Sequence, residues 1–159
     1  MAGMGKSLMC KTIKHKVRFK AAPREIYDRP ADDFVAQFIG ASNLLAGEIA
    51  ARRQKYDEAI KVLREGVKLE ESLPYTEPPY WPVPVRQYLG AALLMAGQPG
   101  EAEQVYRADL QRNPNNGWSL LGLTQSLRAQ HKGSDADASE QQFKSAWTHA
   151  DVILAASRF

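Results

Sequence analysis

V-R-Q-Y-L-G-A-A-L-L-M-A-G-Q-P-G-E-A-E-Q-V-Y-R-A-D-L-Q-R-N-P-N, residues 85–115, decides how this chain folds. Val85, Tyr88, Leu89, Ala92, Leu93 and Ala96 recur at helical spacing. Gly97-Gln98-Pro99-Gly100 interrupts the pattern as a tight turn does. Ala102, Val105, Tyr106 and Leu110 start a second helical run, and Asn113-Pro114 stops it because proline cannot continue a helix. The stretch predicts a helix, a turn and a second helix. Gly90 and Ala102 mark the place where the two helices cross, since bulk there would force them apart.

One such pair cannot bury its own apolar face, so neighbouring pairs are expected. Upstream, Ala46-Gly47 and Ala59-x3-Leu63 repeat the marks at an offset of 43 residues. Downstream, Trp118-x2-Leu121-Gly122 matches the first helix, with Gly122 lying 32 residues after Gly90. A second helix then follows from about Glu140 to Ser157, with Ser139 in the place of the small alanine and a long turn before it. Residues 31–159 thus read as one all-α domain with repeats over about 34–71, 83–114 and 115–157. Asp32 or Asp33 is expected to cap the first helix.

The spaced marks Leu89-Gly90, Ala102-x3-Tyr106 and Pro114 resemble the tetratricopeptide repeat, which runs W-x2-L-G-x2-Y, A-x3-F and P over about 34 residues. Residues 34–159 look like bacterial proteins of that kind. The resemblance implies antiparallel helix pairs stacked as a right-handed superhelix, and a protein-protein interaction scaffold that holds a peptide in its concave groove. Mapping the repeat register puts Leu44, Glu48 and Arg52 on that groove, then Gln87, Ala91 and Met95, then Asn116, Ser119 and Leu123. Leu44 and Glu48 stand where carboxylate-gripping members of the family carry Lys and Asn, so binding of a chaperone tail is not expected.

Between the first two repeats, residues 72–84 read S-L-P-Y-T-E-P-P-Y-W-P-V-P. Five prolines in thirteen residues make an extended connector carrying Tyr75, Tyr80 and Trp81. Its aromatics either fold over the gap between repeats or clamp a partner, for which Trp81 is the candidate. The partner-binding set is therefore Glu48, Arg52, Trp81, Gln87, Met95 and Asn116. An alternative places a small-ligand or enzymatic pocket under this loop, with Glu77, Arg86 and Tyr80 converging on it.

Charge separates the opening segment from the rest. Residues 1–29 hold eight Lys/Arg against two Asp/Glu, and residues 30–159 hold 13 against 16. The basic segment 1–30 could touch nucleic acid only weakly, and a solvated face accounts for it. Thr12 to Lys20 alternates apolar and basic residues, the pattern of one short strand. Residues 11–28 resemble the start of the START-like helix-grip family related to Hsp90 ATPase activators. The long sheet that family needs has no counterpart in the helical patterns that follow, so no function is carried over.

Chemistry-bearing constellations are sparse. His15, His131 and His149 are scattered, and no His or Cys stands at ligand spacing, so neither a metal nor a cofactor is expected. Gly5-Lys6-Ser7 lacks the earlier glycine and the preceding strand of a phosphate loop. No apolar run approaches the roughly 18 residues a membrane span needs. A single cysteine, Cys10, allows no internal disulfide and fits a reducing, cytoplasmic setting, and with no catalytic constellation in the sequence an enzyme is not expected.

Overall fold

Six helices follow one another along the chain in a computed structural model that describes residues 33–73 and 83–158, with side chains from Ala41 onward. They are α1 (Asp33–Arg52), α2 (Tyr56–Ser72), α3 (Val85–Met95), α4 (Pro99–Arg112), α5 (Gly117–Ala129) and α6 (Gly133–Ala146). No strand occurs among the described residues, and the strand expected at Thr12 to Lys20 lies outside them. Each helix packs on the next, and α3 also touches α1 and α5. The odd-numbered helices therefore form one row.

The three short turns between paired helices are the same structure. Gln54, Gly97 and His131 each adopt a left-handed φ, at 60°, 72° and 61°. The residue after each sends its N–H back across the turn: Lys55 to Ala50 at 3.0 Å, Gln98 to Leu93 at 2.9 Å, Lys132 to Leu127 at 3.0 Å. The left-handed residues themselves bond to Ala51, Leu94 and Arg128 at 2.9, 3.0 and 3.0 Å. This double closure satisfies carbonyls that a helix end leaves open. Four residues into each following helix sits a fully buried alanine: Ala59, Ala102 and Ala136.

That backbone match corrects the third repeat. Counted from the turn, Ala136 stands 34 residues after Ala102, and Thr124 stands 34 after Gly90. The small residue opposite the crossing is thus Ala136 rather than Ser139, and Gly122 is not the partner of Gly90. The long turn expected over residues 130–138 is instead a tight one, and α6 starts at Gly133. Gly133-Ser-Asp-Ala-Asp-Ala-Ser reads as loop because Gly, Ser and Asp are poor helix formers. His131, not a glycine, holds the left-handed place, so nothing in residue type marks the turn.

Large side chains fill the gaps that small ones leave. A Cβ on Gly47 would stand 2.5 Å from Leu63, and one on Gly90 would stand 2.4 Å from the Tyr106 ring. Gly122 faces the same ring from the other side, where a Cβ would come within 2.2 Å. Tyr106 therefore passes between α3 and α5 and is fully buried. In the third pair the corresponding gap closes by polar contact, with the Thr124 hydroxyl donating to Ser139 at 3.0 Å. Leu63, Leu93 and Leu127 complete the core, each contributing on the order of 1.5–3 kcal/mol by leaving water.

The last helix is shorter than its apolar spacing suggests. Helix α6 ends at Ala146 and not near Ser157. Thr148 donates its hydroxyl to the carbonyls of Lys144 and Ser145, both at 2.9 Å, and so competes for the groups that would extend the helix. Trp147 turns its ring onto Gly117, and its indole N–H donates to the Val152 carbonyl at 2.7 Å. Residues 147–158 then run back, without helix, toward α3 and α5.

Candidate functional site

The face shared by α3 and α5 is where this returning segment lands. Arg158 donates from Nε and Nη2 to the carboxamide oxygen of Gln87 at 3.2 and 2.8 Å. Its guanidinium carbon lies 4.7 Å from the centroid of the Tyr88 ring and 4.5 Å from that of Trp118. Gln125 donates to the carbonyl of Ala155 at 3.0 Å. Ser157 is buried and shares a hydrogen bond with the Tyr106 hydroxyl. Burial pushes the Tyr106 phenol up, beyond the reach of ordinary pH, so it meets Ser157 as a neutral hydroxyl.

An aromatic ladder carries the segment. Phe143 stacks on Trp147 at 5.9 Å, and Trp147 meets Trp118 edge-on at 6.0 Å. Such ring pairs stabilise by about 0.5–1.5 kcal/mol beyond the area they bury. Gly117 makes the ladder possible, since a Cβ there would stand 2.2 Å from the Trp147 ring.

The residues expected in the groove have separate placements. Glu48 and Arg52 pair with each other across one turn of α1, through bonds of 3.0 and 2.8 Å, and Arg52 remains mostly exposed. Gln87 is 2% exposed and holds Arg158. Met95 is exposed at the end of α3. Leu44 is half-buried against the core, and Ala91 is buried. Trp81, Glu77 and Tyr80 lie outside the described residues.

The third set is displaced. Ser119 and Leu123 are buried rather than open to the face. Asn116 points inward, donating to Asp109 at 2.7 Å and to Ser119 at 3.3 Å. Asp109 is 1% exposed and also accepts from Asn113 at 2.9 Å and from the Ser119 hydroxyl. This network locks the turn between α4 and α5, as a buried carboxylate must be fully hydrogen-bonded to be tolerated. Counted from the shared turn, Gln87, Ala91 and Met95 correspond to Leu121, Gln125 and Ala129, so the expected set lies five or six residues too early in the chain. The α5 side chains that meet the returning segment are Trp118 and Gln125.

Arg86, offered as part of a pocket, is buried in a different role. It pairs with Glu71, lies 4.0 Å from Glu70, and joins the end of α2 to the start of α3. Glu70 accepts the N–H of Val85 at 3.4 Å, and burial pushes its carboxyl up to about 7. Across the other row of helices, Lys132 donates to Glu103 at 2.7 Å, and that contact above all draws the Glu103 carboxyl down to about 2. A shallow depression of about 510 Å³ runs along α2 and the start of α4, lined by Asp57, Lys61, Arg64, Lys68 and Glu101 among others. Its charges are of both signs, and Arg64 and Glu101 pair across it.

Among the described residues there is no group of three metal-ligating side chains, and no helix is long and apolar enough to cross a membrane. No protein-family model matches the chain, and no solved structure matches it. Short similarity exists to the spermidine/putrescine import ATP-binding protein PotA of Trichormus variabilis and of Nostoc sp., each 42% identical over 45 residues. The match covers 28% of this chain and 12% of each of those proteins, and it assigns no activity here.

Proposed function

We propose that the six helices are a tetratricopeptide-type stack, and that the face of α1, α3 and α5 is a binding groove for a peptide or protein segment. The protein is then an interaction scaffold and not an enzyme. The observation that carries this reading is the groove's own content: residues 155–158 sit on α3 and α5, and on the α4 tyrosine that passes between them, through backbone and side-chain contacts together. A surface that holds one non-helical peptide segment has the chemistry to hold another. The identical turns at Gln54, Gly97 and His131, spaced 43 and 34 residues apart, support the repeat reading.

Site-directed photo-cross-linking tests it. Met95 lies on the α3 face four and eight residues beyond Ala91 and Gln87, whereas Lys61 lies on α2 beside the shallow depression. A photoreactive residue at Met95 should capture a partner, and one at Lys61 should not. Arg52→Glu should weaken that capture and leave the melting temperature within a degree or two. Capture from Lys61 alone would sink the groove reading.

A further inference from the structure

Among the described residues Arg158 has no carboxylate partner: two aromatic rings and one carboxamide oxygen receive it. Gln87 is 2% exposed, so its oxygen is a buried acceptor aimed at a donor. Two N–H groups converge on that one oxygen from a flat cation lying over two rings. This geometry selects a guanidinium. A lysine ammonium is a compact, strongly hydrated charge that cannot stack or fork in the same way. Beside the cation site, Gln125 reads a backbone carbonyl and Tyr106 reads a small hydroxyl.

The segment supplying Arg158 is weakly anchored between its ends. Val152 is 54% exposed and Ile153 97% exposed, and Ala155 is exposed too. Little apolar surface leaves water along it, so it belongs to the low-stability part of the fold. A tethered occupant acts at an effective concentration on the order of millimolar, so a weak contact suffices to keep the site filled.

Resting on the groove reading above, we propose that Gln87, Tyr88 and Trp118 form an arginine-reading subsite for a partner's peptide, and that Arg158 is its resident, displaceable occupant. The partner presents an arginine in a non-helical stretch, preceded by a small residue where Ser157 now stands. Binding requires the chain's own segment to leave, which sets a threshold that a partner passes by adding contacts elsewhere on the groove.

The test uses the acetylated, amidated peptide Leu-Ala-Ala-Ser-Arg, the sequence of residues 154–158, and versions ending in Lys and in Ala. Calorimetry with the full chain and with Arg158→Ala should show the Arg peptide binding the variant about tenfold or more tighter, because the competing occupant is gone. The Lys peptide should bind more weakly than the Arg peptide, and the Ala peptide should lose most of the affinity. Adding Trp118→Leu should abolish the preference for Arg over Ala. Hydrogen exchange on the unaltered chain gives a second reading that needs no variant. Excess Arg peptide should speed exchange at residues 154–158 and leave α4 protected. Equal binding of the Arg and Ala peptides overturns the arginine subsite while leaving the groove reading intact. Binding of neither, or exchange unaffected by the Arg peptide, overturns the proposal, and the cross-linking at Met95 then judges the groove on its own.

Discussion

Gln54 and His131 occupy backbone positions that glycine holds at Gly97. A left-handed φ brings Cβ close to the following carbonyl, at a cost of roughly 1–2 kcal/mol for an L-residue. Glycine avoids that cost but has more freedom to lose on folding. Both side chains are exposed, so neither is needed for packing. Gln54→Gly and His131→Gly should each raise stability by about 0.5–1 kcal/mol, seen as a melting temperature higher by roughly 2–4 °C per kcal/mol for a chain of this size. Lower melting temperatures would mean that the turns are not fixed as described. Deeper in the fold, Tyr106 and Ser157 are a closed pair of buried hydroxyls. Ser157→Ala strands the tyrosine hydroxyl and should cost about 1–3 kcal/mol. Tyr106→Phe in the same chain removes the stranded group, so the double variant should recover part of that loss. A double variant with strictly additive losses, measured by urea unfolding, would show that the two hydroxyls are not coupled.

At the scale of the helices, the chain announces its breaks where Gly or Pro makes them or where a repeat carries them over. Gly97-Gln98-Pro99 and Asn113-Pro114 are plain in the sequence and bound α3 and α4, and the same marks 43 residues earlier give α1 and α2. The His131 turn and the end of α6 at Ala146 are not legible, for two reasons. The left-handed position carries an ordinary side chain, and Trp147, Ala150, Ile153 and Leu154 keep a helical spacing after the helix has stopped. Local pattern also cannot show Glu70, whose environment comes from the meeting of α2 with α3. Its carboxyl stands at about 7 against 4.5 when free, chiefly through burial, with the Val85 amide and Arg86 pulling the other way. The folded protein therefore binds the proton more tightly than the unfolded chain does. Stability from this group is full below about 4.5, falls as pH rises toward 7, and levels off above. Glu70→Gln keeps an acceptor for Val85 and removes the titration. The variant should gain about 2 kcal/mol on the parent between pH 5 and pH 8, read from paired thermal melts. A constant difference across that range would mean that Glu70 does not titrate there.

Across the whole molecule, the returning segment changes how the helices depend on one another. In a stack whose units touch only their neighbours, the outermost unit frays on its own. Here Arg158 reaches back 71 residues to Gln87, and Ser157 reaches back 51 to Tyr106. The third helix pair is thereby fastened to the second on the side away from the turns, while Lys132 and Gln130 fasten it to Glu103 on the other. None of this was visible in the sequence, because no local pattern ties Arg158 to a glutamine and two rings on other helices. A chain stopped after Trp147 keeps α6 and its stacking on Trp118 but loses the far fastening. Its α6 amides should exchange faster than those of the full chain by an order of magnitude or more, while α1 and α2 change little. The Tyr106 hydroxyl is also left without Ser157, so exchange in α3 and α5 should rise by less than in α6. If α6 is as protected in the shortened chain as in the full one, its stability comes from α5 alone, and the segment serves only to occupy the groove.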